Sequence, residues 1–148
     1  MAKETVANLD WNHLGFEYHD LPYSFNEEFK DGQWQGGTLT ESSTLTLSEA
    51  AEVLHYGQEV FEGLKAYRTK NGHINLFRPE ENAKRLANSA KRMLMEPYPE
   101  DKFVEAVKQV VLANEEFVPP YGTGGSLYIR PFLIGTQPIV GVAPADTY

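Results

Sequence analysis

Two helical stripes in succession, each opened by a proline, restrict the fold more than any other feature of the chain. Pro79 suits the first position of a helix, where its missing N–H has no intrahelical partner to lose, and Glu80 and Glu81 complement the positive end of the helix dipole. Ala83, Leu86, Ala87, Ala90 and Leu94 then recur at helical spacing, and Pro97 is placed to stop the run. Pro99, Glu100 and Asp101 repeat the opening, and Phe103, Val107, Val110 and Val111 form a second stripe that ends before Pro119-Pro120. Each stripe needs an apolar surface to cover, and β-patterned segments flank the pair on both sides.

Between Leu14 and Phe29 aromatic residues recur mostly two apart, which predicts two short strands interrupted at Leu21-Pro22. Asp31 to Ser43 is rich in Gly, Ser and Thr and reads as a loop or ragged edge, with Trp34 packing locally. Ser48 is set to cap a short helical turn through Glu49–Glu52. Asn71-Gly72 separates two apolar runs and predicts a hairpin with a type I′ turn, roughly Glu62 to Arg78. Ser126 to Ile134 is β-rich, but Pro131 inside it points to an edge strand or a bulge. The expected fold is α+β, a largely antiparallel sheet with the helix pair on one face, and 148 residues suit a single domain.

Composition removes several functions. Thirteen Lys plus Arg against 21 Asp plus Glu leave a net charge of −8, so there is no broad basic face for a nucleic-acid backbone. Without cysteine there is no disulfide, thiolate metal site or cysteine nucleophile, and His13, His19, His55 and His73 are too scattered for a zinc set. No apolar run approaches the roughly 20 residues of a membrane span, and the first residues lack a signal-peptide core, so a cytoplasmic protein is expected.

No short catalytic motif stands alone: there is no P-loop, no GxGxxG after a strand, no GxSxG and no HExxH. What draws notice is polarity placed where it is costly. Arg130 sits between Ile129 and Pro131 in an apolar strand, two residues after Tyr128 on the same face, and a buried arginine there needs an anion, from a structural salt bridge or from a ligand. Arg85 lies off the main stripe of its helix and is either solvated or paired with Glu81 one turn back. Glu62-Gly63 is either a bulge whose glycine lets a ligand approach the backbone or simply a twisted strand start.

Three separated stretches, LHYGQEVFEGLKAYR (54–68), INLFRPEENAKRLANSAKRM (74–93) and SLYIRPFLIGTQPIVGV (126–142), occur in an order that resembles the branched-chain amino acid aminotransferases, pyridoxal-phosphate enzymes of fold type IV. The resemblance extends from about Leu14 to Tyr148, and the Tyr128-x-Arg130-Pro131 element is closer to this group than to the related D-amino acid transaminases and aminodeoxychorismate lyases. It implies that Arg85 grips the cofactor phosphate, a task suited to a planar, permanently charged donor. It also implies that Phe16, Tyr56, Phe61 and Tyr128 wall the pocket for a branched side chain. Arg130, helped by Tyr56, would receive the second carboxylate when glutamate is the substrate, and Val140 and Val142 would lie on a loop reaching a neighbouring subunit of a homodimer.

The same resemblance places the lysine that holds the cofactor covalently, and the tyrosine and glutamate that accompany it, beyond Tyr148, and it gives Lys65 and Lys84 no such role. The expectation is therefore that residues 1–148 are the N-terminal small domain of a longer enzyme, that the larger cofactor-binding domain lies outside this chain, and that no catalytic residue is within it. The reaction implied is amino-group transfer between leucine, isoleucine or valine and 2-oxoglutarate. A fold type IV relative of other outcome and a binding module without catalysis are the alternatives.

Overall fold

The computed structural model describes residues 8–148. Strands β1 (Ser24–Asn26), β2 (Phe29–Lys30), β3 (Gln33–Trp34) and β4 (Thr38–Thr40) form two nested antiparallel pairs, β1 with β4 and β2 with β3. The inner pair turns at Asp31-Gly32, both at positive φ (53° and 76°), as a type I′ hairpin requires. The stretch expected as loop thus contains two strands, and both strands ahead of it lie after Pro22. Before Pro22 the aromatic alternation finds no partner strand; instead the backbone of Tyr23 is held by the side chain of buried Asn114, whose amide accepts the Tyr23 N–H at 3.2 Å and donates to its C=O at 3.0 Å.

Ser48 Oγ accepts the Ala50 N–H at 3.2 Å, but α1 (Glu52–Tyr56) starts later than the cap suggests and ends at Gly57, whose φ of 63° only glycine adopts cheaply. Strands β5 (Glu59–Phe61), β6 (Leu64–Arg68) and β7 (Ile74–Leu76) follow, with β6 and β7 forming the expected hairpin. Its turn is longer than two residues: the Gly72 N–H bonds to the Thr69 C=O at 2.9 Å, and Gly72 is at positive φ while Asn71 is not. The helices are α2 (Pro79–Arg92) and α3 (Glu100–Ala113). α2 stops before Pro97 is reached, because Leu94 turns to a φ of 59°; Leu94 consequently leaves the apolar stripe and is exposed.

Strands β8 (Leu127–Ile129) and β9 (Phe132–Ile134) divide the predicted strand at Arg130-Pro131. β8 pairs antiparallel with β6, and β9 with β5. The register nonetheless runs on: Phe61 faces Phe132 on one side of the break, Leu64 faces Ile129 on the other, and two residues on each strand lie between. The α+β class with antiparallel pairing is therefore observed, as one long ladder interrupted once and flanked by β7. Leu64, Ala66 and Ile129 on its inner side pack with Ala83 and Leu86 of α2 and Phe103, Val107 and Val111 of α3, so both helices cover the same face.

The β1–β4 hairpin is tied to this core by aromatic and ionic contacts. Trp34 meets Tyr98 edge-on at 4.7 Å as well as its neighbour Phe29 at 5.2 Å, so its packing is not only local. Below it the Glu27 carboxylate accepts bonds from the Tyr98 hydroxyl, Lys102 Nζ at 3.0 Å and the Gly36 N–H at 2.8 Å. Burial pushes the Glu27 carboxyl upward, but these three donors outweigh it and hold it below its ordinary value of 4.5. A carboxyl lowered on folding contributes stability that is present above its unfolded value and is lost as pH falls through the folded one. Tyr98→Phe should therefore cost about 1.5–3 kcal/mol at neutral pH and flatten the loss of stability below pH 4.5, as read by urea unfolding across that range.

Candidate functional site

The interruption of the ladder gathers the polar residues that the sequence made conspicuous. Along β5 and β6 the side chains alternate through the break: Leu64 and Ala66 are buried beside the helices, while Phe61, Lys65 and Tyr67 are exposed on the opposite face. Glu62 follows the buried parity and Gly63 the exposed one. On the facing strand Ile129 and Leu133 are buried, and Tyr128, Arg130 and Phe132 are exposed. Across the gap the Glu62 N–H donates to the Pro131 C=O at 2.8 Å, and Pro131 has no N–H to return, so the pairing lapses at this point.

On the helix side, a carboxylate with the burial of a core residue needs a cation, and α2 provides it. Arg85 donates Nε to Glu62 Oε1 at 2.9 Å and Nη2 to Glu62 Oε2 at 2.8 Å, a bidentate pair. Neither expected arrangement of Arg85, free in solvent or paired with Glu81, is the one found. Asn82, one turn earlier, donates Nδ2 to Glu62 Oε2 at 2.9 Å and to the Gly63 C=O at 3.2 Å. The Arg85 guanidinium lowers the Glu62 carboxyl, and Glu62 in turn raises Arg85. The Glu62 side chain is only 9% exposed, whereas Arg85 is 63% exposed, so the carboxylate is the fixed member and the guanidinium faces outward.

On the opposite face, Arg130 is exposed, not buried as its apolar neighbours suggested, because strand alternation turns it away from Ile129 and the helices. Among the described residues no carboxylate pairs with it. It donates Nη2 to the Tyr128 hydroxyl at 2.9 Å, and its Cζ lies 4.2 Å from the Phe61 ring centroid and 5.3 Å from that of Tyr128. The cation is thereby oriented while its charge stays unneutralised. Gly63 makes room for this arrangement: a Cβ there would lie 2.2 Å from the Tyr128 hydroxyl oxygen.

Phe61, Tyr128 and Arg130 are thus brought together, with Arg85 reached through Glu62 and Gly63. Phe16 is fully exposed, Tyr56 is exposed at the end of α1 beside His55, and Val140 and Val142 are exposed on the segment after the Ala51–Pro138 bridge; no ring or hydrogen-bond contact links these four to the cluster. Among the described residues no three His, Cys, Asp or Glu side chains cluster as metal ligands, and no helix is long and apolar enough to cross a membrane. Sequence reasoning missed Glu62 as the partner of Arg85, although its strand parity with Leu64 and Ala66 is a readable signal that it needs a cation. It also missed Asn82 and exposed Phe132, which alternation alone would have put beside Arg130. Gly63→Ala should leave the protein folded, at a cost of about 1–3 kcal/mol, because the exposed Tyr128 ring can swing aside; a crystal structure should show Tyr128 displaced and its bond to Arg130 broken.

No model of a protein family matches the chain. The branched-chain-amino-acid aminotransferase of Haemophilus influenzae is 52% identical over 143 residues, 97% of this chain and 42% of the relative, and that of Helicobacter pylori is 49% identical over the same shares. Among solved structures, the branched-chain amino acid aminotransferase of Escherichia coli superposes with a TM-score of 0.61 at 25% identity, covering 82% of this chain and 37% of the other. The T.th. branched-chain amino acid aminotransferase complexed with N-(5′-phosphopyridoxyl)-L-glutamate gives a TM-score of 0.59 at 33% identity, over 80% and 35%. This chain is similar to the branched-chain amino acid aminotransferases in sequence along nearly all its length and in fold over about four fifths of it, as its three motifs imply, and it spans about two fifths of the curated relatives it matches.

Proposed function

We propose that the protein carrying this chain transfers the amino group between leucine, isoleucine or valine and 2-oxoglutarate, and that these residues form the small domain on the substrate side of its active site. The observation that carries the reading is the similarity along 97% of the chain to relatives named for this activity, at up to 52% identity. The geometry supports it. Arg85 keeps an outward edge while its inner edge is fixed on Glu62, which fits a residue that holds the phosphate of pyridoxal phosphate. The cofactor, when bound, supplies the electron sink that makes the substrate Cα–H acidic. The amine and the acid-base groups for that step belong to the part of the protein outside this chain.

Phe61 and Tyr128 give the outer face of the sheet the apolar, rigid surface that a branched aliphatic side chain needs, and Phe16 and Tyr56 are assigned to the same pocket. Arg130 receives the side-chain carboxylate of glutamate or 2-oxoglutarate. An unneutralised arginine oriented by a phenol and two rings suits that task, because an apolar substrate leaves it solvated and an acidic one gains a charge-assisted bond. Val140 and Val142, exposed and apolar, are assigned to contact with the second subunit of a homodimer.

Arg130 provides the test. Arg130→Ala in the full-length protein should lower kcat/KM for glutamate and 2-oxoglutarate by about 10–100-fold and for leucine by no more than about threefold, since only the acidic substrates bring a second carboxylate. Equal losses on both classes would remove Arg130 from this role, and no transamination of leucine by the wild type would remove the activity itself.

A further inference from the structure

We propose that Glu62 is the positioning residue for Arg85, fixing one edge of its guanidinium so that the other is presented to a phosphate group. This rests on the reading of Arg85 as the phosphate grip and extends it to a residue that touches no ligand. An arginine has five N–H donors. Nε and one hydrogen of Nη2 are taken by Glu62, at 2.9 and 2.8 Å, which leaves the second hydrogen of Nη2 and one of Nη1 along the next edge, with the other Nη1 hydrogen on the Cδ side. That remaining edge is a complete end-on fork for two oxygens of one phosphate.

Glu62 is itself held. Its Oε2 accepts from Asn82 Nδ2 at 2.9 Å and from the Gly63 N–H at 3.3 Å, and Asn82 sits on the same helix as Arg85, three residues before it. The carboxylate is therefore fixed to both the strand and the helix, and it immobilises a side chain that is otherwise mostly in solvent. Two consequences oppose each other. Glu62 removes the rotamer freedom of Arg85 before a ligand arrives, which favours binding, and it neutralises the arginine's charge, which disfavours an anion. The Glu62 carboxylate stands behind the guanidinium, whose charge offsets its repulsion of a phosphate on the far edge, whereas the ordering of Arg85 is retained. Ordering prevails, and the sign of the effect of removing Glu62 distinguishes the two.

The experiment is a comparison of pyridoxamine 5′-phosphate with pyridoxamine as ligands of the full-length protein, by titration calorimetry or fluorescence quenching. Neither ligand carries an aldehyde, so both bind by noncovalent contacts alone and their affinity ratio reports the phosphate grip. Partners that orient a binding side chain from outside contribute roughly 10–100-fold in affinity where this is measured at metal sites, and the lower end applies to an arginine that stays charged without its partner. Glu62→Ala, and Glu62→Gln as the variant of unchanged size, should each weaken pyridoxamine 5′-phosphate about tenfold and leave pyridoxamine unaffected. In an Arg85→Ala background the Glu62→Gln change should have no further effect on the ratio, a coupling that a merely structural role would not produce. An unchanged or tightened affinity for pyridoxamine 5′-phosphate in the Glu62 variants overturns the positioning role while the phosphate reading stands. An Arg85→Ala protein that still prefers the phosphorylated ligand as the wild type does overturns that reading, and the positioning role with it.

Discussion

A single lapse in an otherwise continuous antiparallel ladder organises the molecule. The register between the β5–β6 and β9–β8 strands is the same on both sides of it, so the interruption is not a change of partner. Pro131 cannot donate, and the backbone of Gly63 is instead engaged by Asn82. The side chains keep alternating between core and solvent through the lapse, which puts Glu62 at an inner position. At the lapse that position meets the polar edge of α2, at Asn82 and Arg85, and a carboxylate can be buried there because four donors, the Gly63 N–H among them, satisfy it.

The helices were the most legible part of the fold. Proline at the start, acid in the first turn and apolar residues at helical spacing all agree for α2 and α3, and local signals that agree survive tertiary context. Their ends were less so: Leu94 continues the spacing yet leaves the helix, because the stop depends on where the next segment must go. The hairpin at 64–76 was legible in its place but not in its turn, since Asn71-Gly72 serves a five-residue connection as well as a two-residue one. The β2–β3 hairpin was hidden by a composition rich in Gly, Ser and Thr, although Asp31-Gly32 is a type I′ dipeptide of the same kind as Asn71-Gly72 and is the one that adopts positive φ at both positions. The strand predicted before Pro22 failed for want of a partner, which no local pattern supplies; the one predicted after it falls where β1 and β2 form.

For the site, residue types were legible and their partners were not. Arg130 looked buried because its neighbours in sequence are apolar, but in a strand the residues that share an environment are two apart, and those are Tyr128 and Phe132. Arg85 looked like a surface residue because its helix neighbours offer only Glu81, while its actual partner is 23 residues away. Assigning these two arginines to particular ligand anions came from resemblance to a family. The structure adds the means by which each is held, which no motif encodes.

Those means differ in a way that matters for binding. Arg85 is paired with a carboxylate and contributes almost no net charge; Arg130 is held by a phenol hydroxyl and two aromatic rings and contributes a full one. In a chain of net charge −8 the long-range field opposes every anionic ligand, and only groups within about a Debye length, roughly 8 Å in physiological salt, can reverse it. On the proposed reading, a cofactor phosphate that stays bound tolerates a neutralised grip at Arg85, because fixed donors replace its hydration at geometries set in advance. A carboxylate that must arrive and leave with each substrate is better served by a free cation, whose attraction acts before contact is made. Beside the break, then, the proposed roles fall on two arginines held differently: Arg85 of α2, fixed through a buried acid on the helix side, and Arg130 of the sheet, left charged on the open face.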